Sequence, residues 1–220
     1  MPQQKVNFFS PGVIIDDIPA KIFLPLEKEI NKIQKDFESA EAVNDTLVGQ
    51  IKKEYKLTDC HSLIDEYLQH LLQDYNNNNA QWLSFAPVVK EDTSYVLDQL
   101  WVNFQEKYEF NPPHDHSGVM SFVIWMKIPY SIENESKQYS NARHGSQAGK
   151  FGFLYTDTLG KISEITLPVD KTWQGKIALF PASMYHYVNP FYTSDDYRIS
   201  VSGNIKLSTT TTQYQLGTRN

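Results

Sequence analysis

The apolar positions divide the chain into two textures. From Leu24 to Phe37, residues Leu26, Ile30, Ile33 and Phe37 step by four, three and four, the spacing of one helix face. Pro19 and Pro25 bracket the change into this pattern. The stretch Leu47–Tyr55 repeats it briefly with Val48, Ile51 and Tyr55. The stretch Ser62–Tyr75 repeats it at length with Leu63, Ile64, Tyr67, Leu68, Leu71, Leu72 and Tyr75, and stops at the turn-prone Asn76–Asn79. Residues 1–80 are therefore predicted to be an extended lead-in of about 20 residues followed by a mainly helical region.

Beyond Asn79 the pattern changes. Ser94–Phe104 and Met120–Ile128 are rich in β-branched and aromatic residues. Shorter strand candidates follow at Gly152–Thr156, Ile162–Pro168, Lys176–Phe180, Tyr185–Val188 and Arg198–Ile205, punctuated by Pro112-Pro113, Gly160, Asp170, Gly175, Asn189-Pro190 and Asp195-Asp196. Short strands at close spacing without interleaved helices predict a sandwich or barrel over residues 81–220. Tyr130–Lys150 breaks the rhythm and reads as a long polar loop, a candidate lid.

Composition narrows the chemistry. The 220 residues carry 20 basic and 26 acidic side chains, a net charge of −6, with no Lys/Arg run, which argues against a nucleic-acid partner. No apolar stretch is long enough for a membrane span, and the N-terminal run lacks the basic start and apolar core of a signal peptide. The expectation is a soluble, cytoplasmic protein. One cysteine, Cys60, excludes an intramolecular disulfide and thiolate metal sites within one chain. Any metal must then be held by His, Asp or Glu.

Three pieces carry candidate chemistry. In Pro113-His114-Asp115-His116, side chains two apart in extended chain share a face, so His114 and His116 can reach one ion while Asp115 points away. The alternative is a pair of polar histidines at a loop end. In the run Gly175–His186, a strand and a Pro-marked turn lead to His186, which read alone is a half-buried histidine. In Arg198-Ile199-Ser200, Ile199 and Val201 alternate with Arg198, Ser200, Ser202 and Asn204. That polar face either meets water at a sheet edge or lines a pocket in which Arg198 binds a carboxylate. If the strands of His186 and Arg198 pair with residue 186 opposite 200 or 202, all three pieces share one pocket. Three ligands on one face of an octahedral ion would leave three positions open.

The order of these pieces resembles the 2-oxoglutarate- and iron-dependent oxygenases. It is similar in particular to a family with W-x-N, H-x-H, F-P-x-x-x-x-H and R-x-S, here Trp101-Val102-Asn103, His114-Asp115-His116, Phe180-Pro181 through His186, and Arg198-Ile199-Ser200. The resemblance spans about residues 95–205. It implies a mainly β, double-stranded β-helix (jelly-roll, cupin-like) core with the N-terminal helices packed on it. It implies Fe(II) held by His114, His116 and His186, 2-oxoglutarate held by Arg198 and Ser200 with Asn103 alongside, and O₂ as oxidant in the hydroxylation of a C–H bond.

Two features depart from the better-known members. Their second ligand is acidic, whereas His116 stands here; Asp115 would replace it only if a bulge turned it inward. In the next strand, Ser121, Phe122 and Trp125 stand where Ser-Gly and tyrosines are expected, so no substrate carries over, whether small molecule or polypeptide. A cupin-type metalloenzyme without 2-oxoglutarate and a non-catalytic jelly-roll module are the competing readings, and Arg198 separates the first of them from an oxygenase. His144 is a candidate substrate contact from the polar loop. His61 and His70 belong to the helical region, and the four tryptophans read as core. The N-terminal helices are candidates for buttressing the barrel or for making a homodimer.

Overall fold

A computed structural model describes residues 12–78, 94–138 and 146–208. The strands among them form two antiparallel sheets. β1 (Ile14–Asp17), β2 (Glu54–Lys56), β3 (Tyr95–Gln105), β5 (Met120–Lys127), β8 (Lys176–Pro181) and β10 (Arg198–Leu207) make one sheet, in the order β1-β8-β5-β10-β3-β2. β4 (Asn111–His114), β6 (Phe151–Thr156), β7 (Ile162–Leu167) and β9 (His186–Val188) make the other, in the order β4-β9-β6-β7. This is the mainly β, double-stranded β-helix architecture that the strand spacing and the resemblance imply.

The larger sheet is covered on both faces. Its outer face carries Leu100, Val102 and Phe104 of β3 and Ile199, Val201 and Ile205 of β10. These share one apolar core with Ile22, Leu26, Ile30 and Ile33 of α1 (Ala20–Lys35) and Ile64, Leu68, Leu71 and Leu72 of α2 (His61–Asn78). Its inner face turns Val123, Trp125, Ala178 and Phe180 toward Phe151 and Phe153 of the smaller sheet. Coverage on both faces explains why Met120–Met126 is buried throughout, Ser121 included, rather than alternating apolar with polar residues. Among the described residues no helix is long and apolar enough to cross a membrane.

A buried carboxylate joins the two long helices. Glu29 of α1 is 6% exposed. It accepts hydrogen bonds from the backbone N–H of Thr58 (2.7 Å), Asp59 (2.9 Å) and Cys60 (2.9 Å) at the entry to α2. Those donors have no partner inside the helix, and an anion there also meets the favourable end of the helix dipole.

The local differences from the sequence pattern have physical reasons. α1 begins at Ala20, one turn earlier than its apolar steps suggest, because extended Pro19 serves as N-cap and Pro25 is accommodated inside the helix. Leu47–Tyr55 is not a helix. It is a turn leading into β2, whose pairing with β3 (Glu54↔Asn103, Tyr55↔Val102) overrides the short helical period. Gly49 in that turn lies against Asn111, where a Cβ would stand 2.0 Å from the Asn111 Oδ1. GVII contributes β1 rather than a loose lead-in. The predicted loop contains a helix near its start: α3 (Ile132–Lys137) carries the fully buried Glu135, which accepts from the backbone N–H of Tyr192 (2.8 Å) and Thr193 (2.9 Å).

Replacing Glu29 by Ala strands three backbone donors at the α2 entry. The expected loss is roughly 2–3 kcal/mol of unfolding free energy, read from a denaturant titration. A loss below about 0.5 kcal/mol, the range of an ordinary surface substitution, would contradict the capping role.

Candidate active site

β4 and β9 are neighbours, and their register sets His114 directly opposite His186. β4 is an edge strand with Pro112 and Pro113 inside it, tolerable because prolines without an N–H cost least at an edge. Past His114 the chain is anchored by the His116 N–H, which donates to the Ala182 carbonyl (2.9 Å) in the turn after β8. That anchor turns the His116 ring back onto the pair. The ring centroids lie 5.1 Å (114–116), 4.4 Å (114–186) and 4.9 Å (116–186) apart. The candidate ligand nitrogens all fall within 4.8 Å of one another.

Two of the rings are oriented by carbonyls. His114 Nδ1 lies 2.7 Å from the Pro112 oxygen and His186 Nδ1 lies 3.0 Å from the Met184 oxygen. With Nδ1–H donating there, each Nε2 keeps its lone pair for the cavity. The Nε2 atoms of His116 and His186 are 3.2 Å apart, a span that suits two imidazoles meeting one cation at about 2 Å from each. The rings are also kept neutral. Burial pushes His114 below the usual histidine range. Burial, followed by the neighbouring histidines, takes His116 down to about 4 and His186 to about 3. Phe180 (4.8 Å) and stacked Phe151 (5.7 Å) wall His186, and Trp101 (5.8 Å) lies beside His116. Neutral, preoriented imidazoles in an apolar shell fit a divalent metal.

Asp115 is solvent-exposed and stands outside the histidine cluster, whereas His116 is within it. β4 carries a one-residue register shift between Asn111 and His114, and with it in place His116, not Asp115, joins the cluster.

A cavity of about 200 Å³ runs from the histidines between the sheets. The polar face of β10 (Arg198, Ser200, Ser202 and Asn204) lines it, together with Trp101, Asn103 and Gln105 of β3. Arg198 is 2% exposed; its Nη1 donates to the Gly149 carbonyl at 3.5 Å, while its Nε has no partner. A buried guanidinium left with a free N–H fits an anionic ligand, since an unpaired buried charge is costly. Asn103 is committed to the protein. Its Oδ1 accepts from Trp101 Nε1 (3.1 Å), and its Nδ2 donates to Ser200 Oγ (3.3 Å) and Ser202 Oγ (3.4 Å).

Several sequence expectations need correction or completion. β9 and β10 do not pair: they lie in opposite sheets, so His186 meets the β10 face across the sandwich rather than along a ladder. Of the bulky residues in β5, Phe122 lines the cavity, whereas Trp125 is fully buried between Trp173 (5.1 Å) and Phe151 (5.8 Å). His144 and Trp82 lie outside the described residues. Trp101, read as core, lines the cavity, and its W-x-N spacing from Asn103 was the signal for it. Glu54 also lines the cavity. It was missed because its segment read as a helix, and only the β2–β3 register turns it inward.

Residues 99–204 match the family model described as "Putative 2OG-Fe(II) oxygenase". No curated protein matches the chain. Among solved structures, a prolyl-4-hydroxylase of Pseudomonas putida is 14% identical, with 90% of this chain and 93% of that one covered and a TM-score of 0.52. EvdMO1 is 12% identical, with 87% and 47% covered and a TM-score of 0.52. The viral collagen prolyl hydroxylase of Paramecium Bursaria Chlorella virus-1, a 2OG complex, is 13% identical over 88% and 94%, with a TM-score of 0.45. At such identities the likeness to solved structures is one of fold.

Substitution separates the two candidates for the second ligand. His116→Ala should weaken Co(II) or Fe(II) binding at least about tenfold, while Asp115→Ala leaves it unchanged, both read by equilibrium metal titration. The reverse ranking would assign the ligand to Asp115.

Proposed function

On a chain whose residues 99–204 carry the 2OG-Fe(II) oxygenase match, we propose an Fe(II)- and 2-oxoglutarate-dependent dioxygenase that hydroxylates a C–H bond of its substrate. The observation that carries this reading is the convergence, in one cavity, of three neutral imidazoles and a buried guanidinium with a free N–H. His114, His116 and His186 are the proposed iron ligands. Arg198 and Ser200 are proposed to hold the distal carboxylate of 2-oxoglutarate. When bound, iron and 2-oxoglutarate supply the oxidising chemistry: O₂ is reduced as the 2-oxo acid loses CO₂ to become succinate, with one oxygen atom delivered to the substrate carbon.

The chain's own part is orientation, charge and exclusion of water. The carbonyls of Pro112 and Met184 hold two imidazoles with Nε2 inward. Three neutral ligands leave the site one unit more positive than two histidines and a carboxylate would, which favours a dianionic cosubstrate over a neutral ligand. Arg198 fixes one end of that dianion, and its burial strengthens the pair because little water competes. Asn103 braces Ser200 and Ser202 from β3, so its role is to position the floor of the pocket. Phe151, Phe180 and Trp101 keep solvent from the histidines. A cupin-type reaction gives the Arg198 end of the cavity no task.

Anaerobic addition of Fe(II) and 2-oxoglutarate should produce the visible charge-transfer band of a chelated 2-oxo acid. Arg198→Ala should retain iron yet lose the band at 2-oxoglutarate concentrations that saturate the parent. A protein that loads iron and never shows the band would overturn the proposal.

A further inference from the structure

Glu54 is a buried acid for which the proposed chemistry has no task. It is 3% exposed and lines the same cavity as the histidines and Arg198. Its Oε2 accepts one hydrogen bond, from Asn44 Nδ2 at 3.2 Å, and Asn44 is itself committed more closely to the Ile51 carbonyl at 2.8 Å. Among the described residues Glu54 makes no ion pair, and its carboxylate lies outside the histidine cluster, so it is not a fourth ligand. Glu29 and Glu135, carboxyls at similar depth, spend both oxygens on backbone N–H donors, whereas no backbone N–H among the described residues donates to the Glu54 carboxyl.

Its place in the register explains why Arg198 does not neutralise it. Arg198 lies opposite Gln105 on β3, and Glu54 lies opposite Asn103 from the other side of β3. Two strand spacings, about 10 Å, and a two-residue offset of about 7 Å separate the two backbones. Arg198 and Glu54 thus stand apart in the cavity with the neutral amides of Gln105 and Asn103 between them, and the other lining carboxylate, Asp115, is solvent-exposed beside the histidines, which leaves Glu54 as the buried acidic end. The exposed Val48 and the apolar Leu47 and Ile51 also line the cavity, and Asn44 ties the Ile51 carbonyl to Glu54.

We infer that Glu54 is a specificity-determining residue, and that the substrate carries a cationic nitrogen, an amine or guanidine on an aliphatic arm, which Glu54 binds. The inference rests on the oxygenase reading in one respect: it assigns the Arg198 end to the cosubstrate, leaving the acidic end for the substrate. Burial, reinforced by nearby Glu109, raises the Glu54 carboxyl to about 7. An ammonium beside that carboxyl supplies the counter-charge it lacks and favours its ionised form. Leu47 and Ile51 provide the apolar contact for the carbon arm, and Asn44 holds the carboxylate toward it.

The test uses n-butylamine and 1-butanol as probes of equal length, titrated calorimetrically into the full-length chain without metal. Amine should bind at least about tenfold more tightly than alcohol, and Glu54→Gln should bring the two within about threefold. Glu54→Asp, which keeps the charge, should retain a preference for amine. Equal affinities in the parent chain would overturn the inference without any variant, as would a preference that survives in Glu54→Gln. The charge-transfer band of the parent chain is independent of these titrations. A parent that shows the band but no amine preference loses only this inference, and one that lacks the band loses the oxygenase reading.

Discussion

The structure depends most on one cross-strand pair. His114 on β4 and His186 on β9 stand opposite each other, and a slip of one residue in that ladder would turn one of them to the outside. The register is held by little strand length: β4 spans Asn111–His114 and β9 spans His186–Val188. What secures it is the surroundings. β6 pairs with β9 on the other side, Phe153↔His186 included, and the turn after β8 takes the His116 N–H. The third imidazole therefore arrives by a backbone hydrogen bond rather than by strand pairing.

The same logic explains the helices. Where β3 and β10 turn Arg198, Ser200, Asn103 and Gln105 inward, that part of the inner face adds little stability, since desolvating polar groups offsets most of what their hydrogen bonds return. The apolar face of β3 and β10 supplies the stabilisation instead, and α1 and α2 cover it. Glu29 locks those helices to each other. The pocket is polar and partly unsatisfied because the opposite side of the same strands is apolar and closed.

How much of this was legible in the chain follows from the range of the interactions. β3, β5 and β10 declare themselves by β-branched and aromatic runs between turn residues, and H-x-H and R-x-S are readable because side chains two apart share a face. The alternation of Ile199 and Val201 with Arg198, Ser200 and Ser202 gave both faces of β10 in advance. Partnership between distant strands is another matter. Nothing local in Tyr185–Val188 says that it joins β4 and β6 rather than β10. Nothing in Leu47–Tyr55 reveals that Glu54–Lys56 will pair with β3, because a three-residue edge strand has no period of its own. Glu54 was invisible for that reason, and α3 was hidden because its six residues have too short a period to stand out from the polar loop around them.

The central claim is that three histidines, with no carboxylate among them, hold the iron. X-ray absorption at the iron edge of the Fe(II)-loaded, anaerobic protein reads this directly, since imidazole rings give a distinctive multiple-scattering pattern that oxygen ligands lack. The account predicts scattering from three imidazoles at His114, His116 and His186. A spectrum that requires two imidazoles and a protein carboxylate would contradict it.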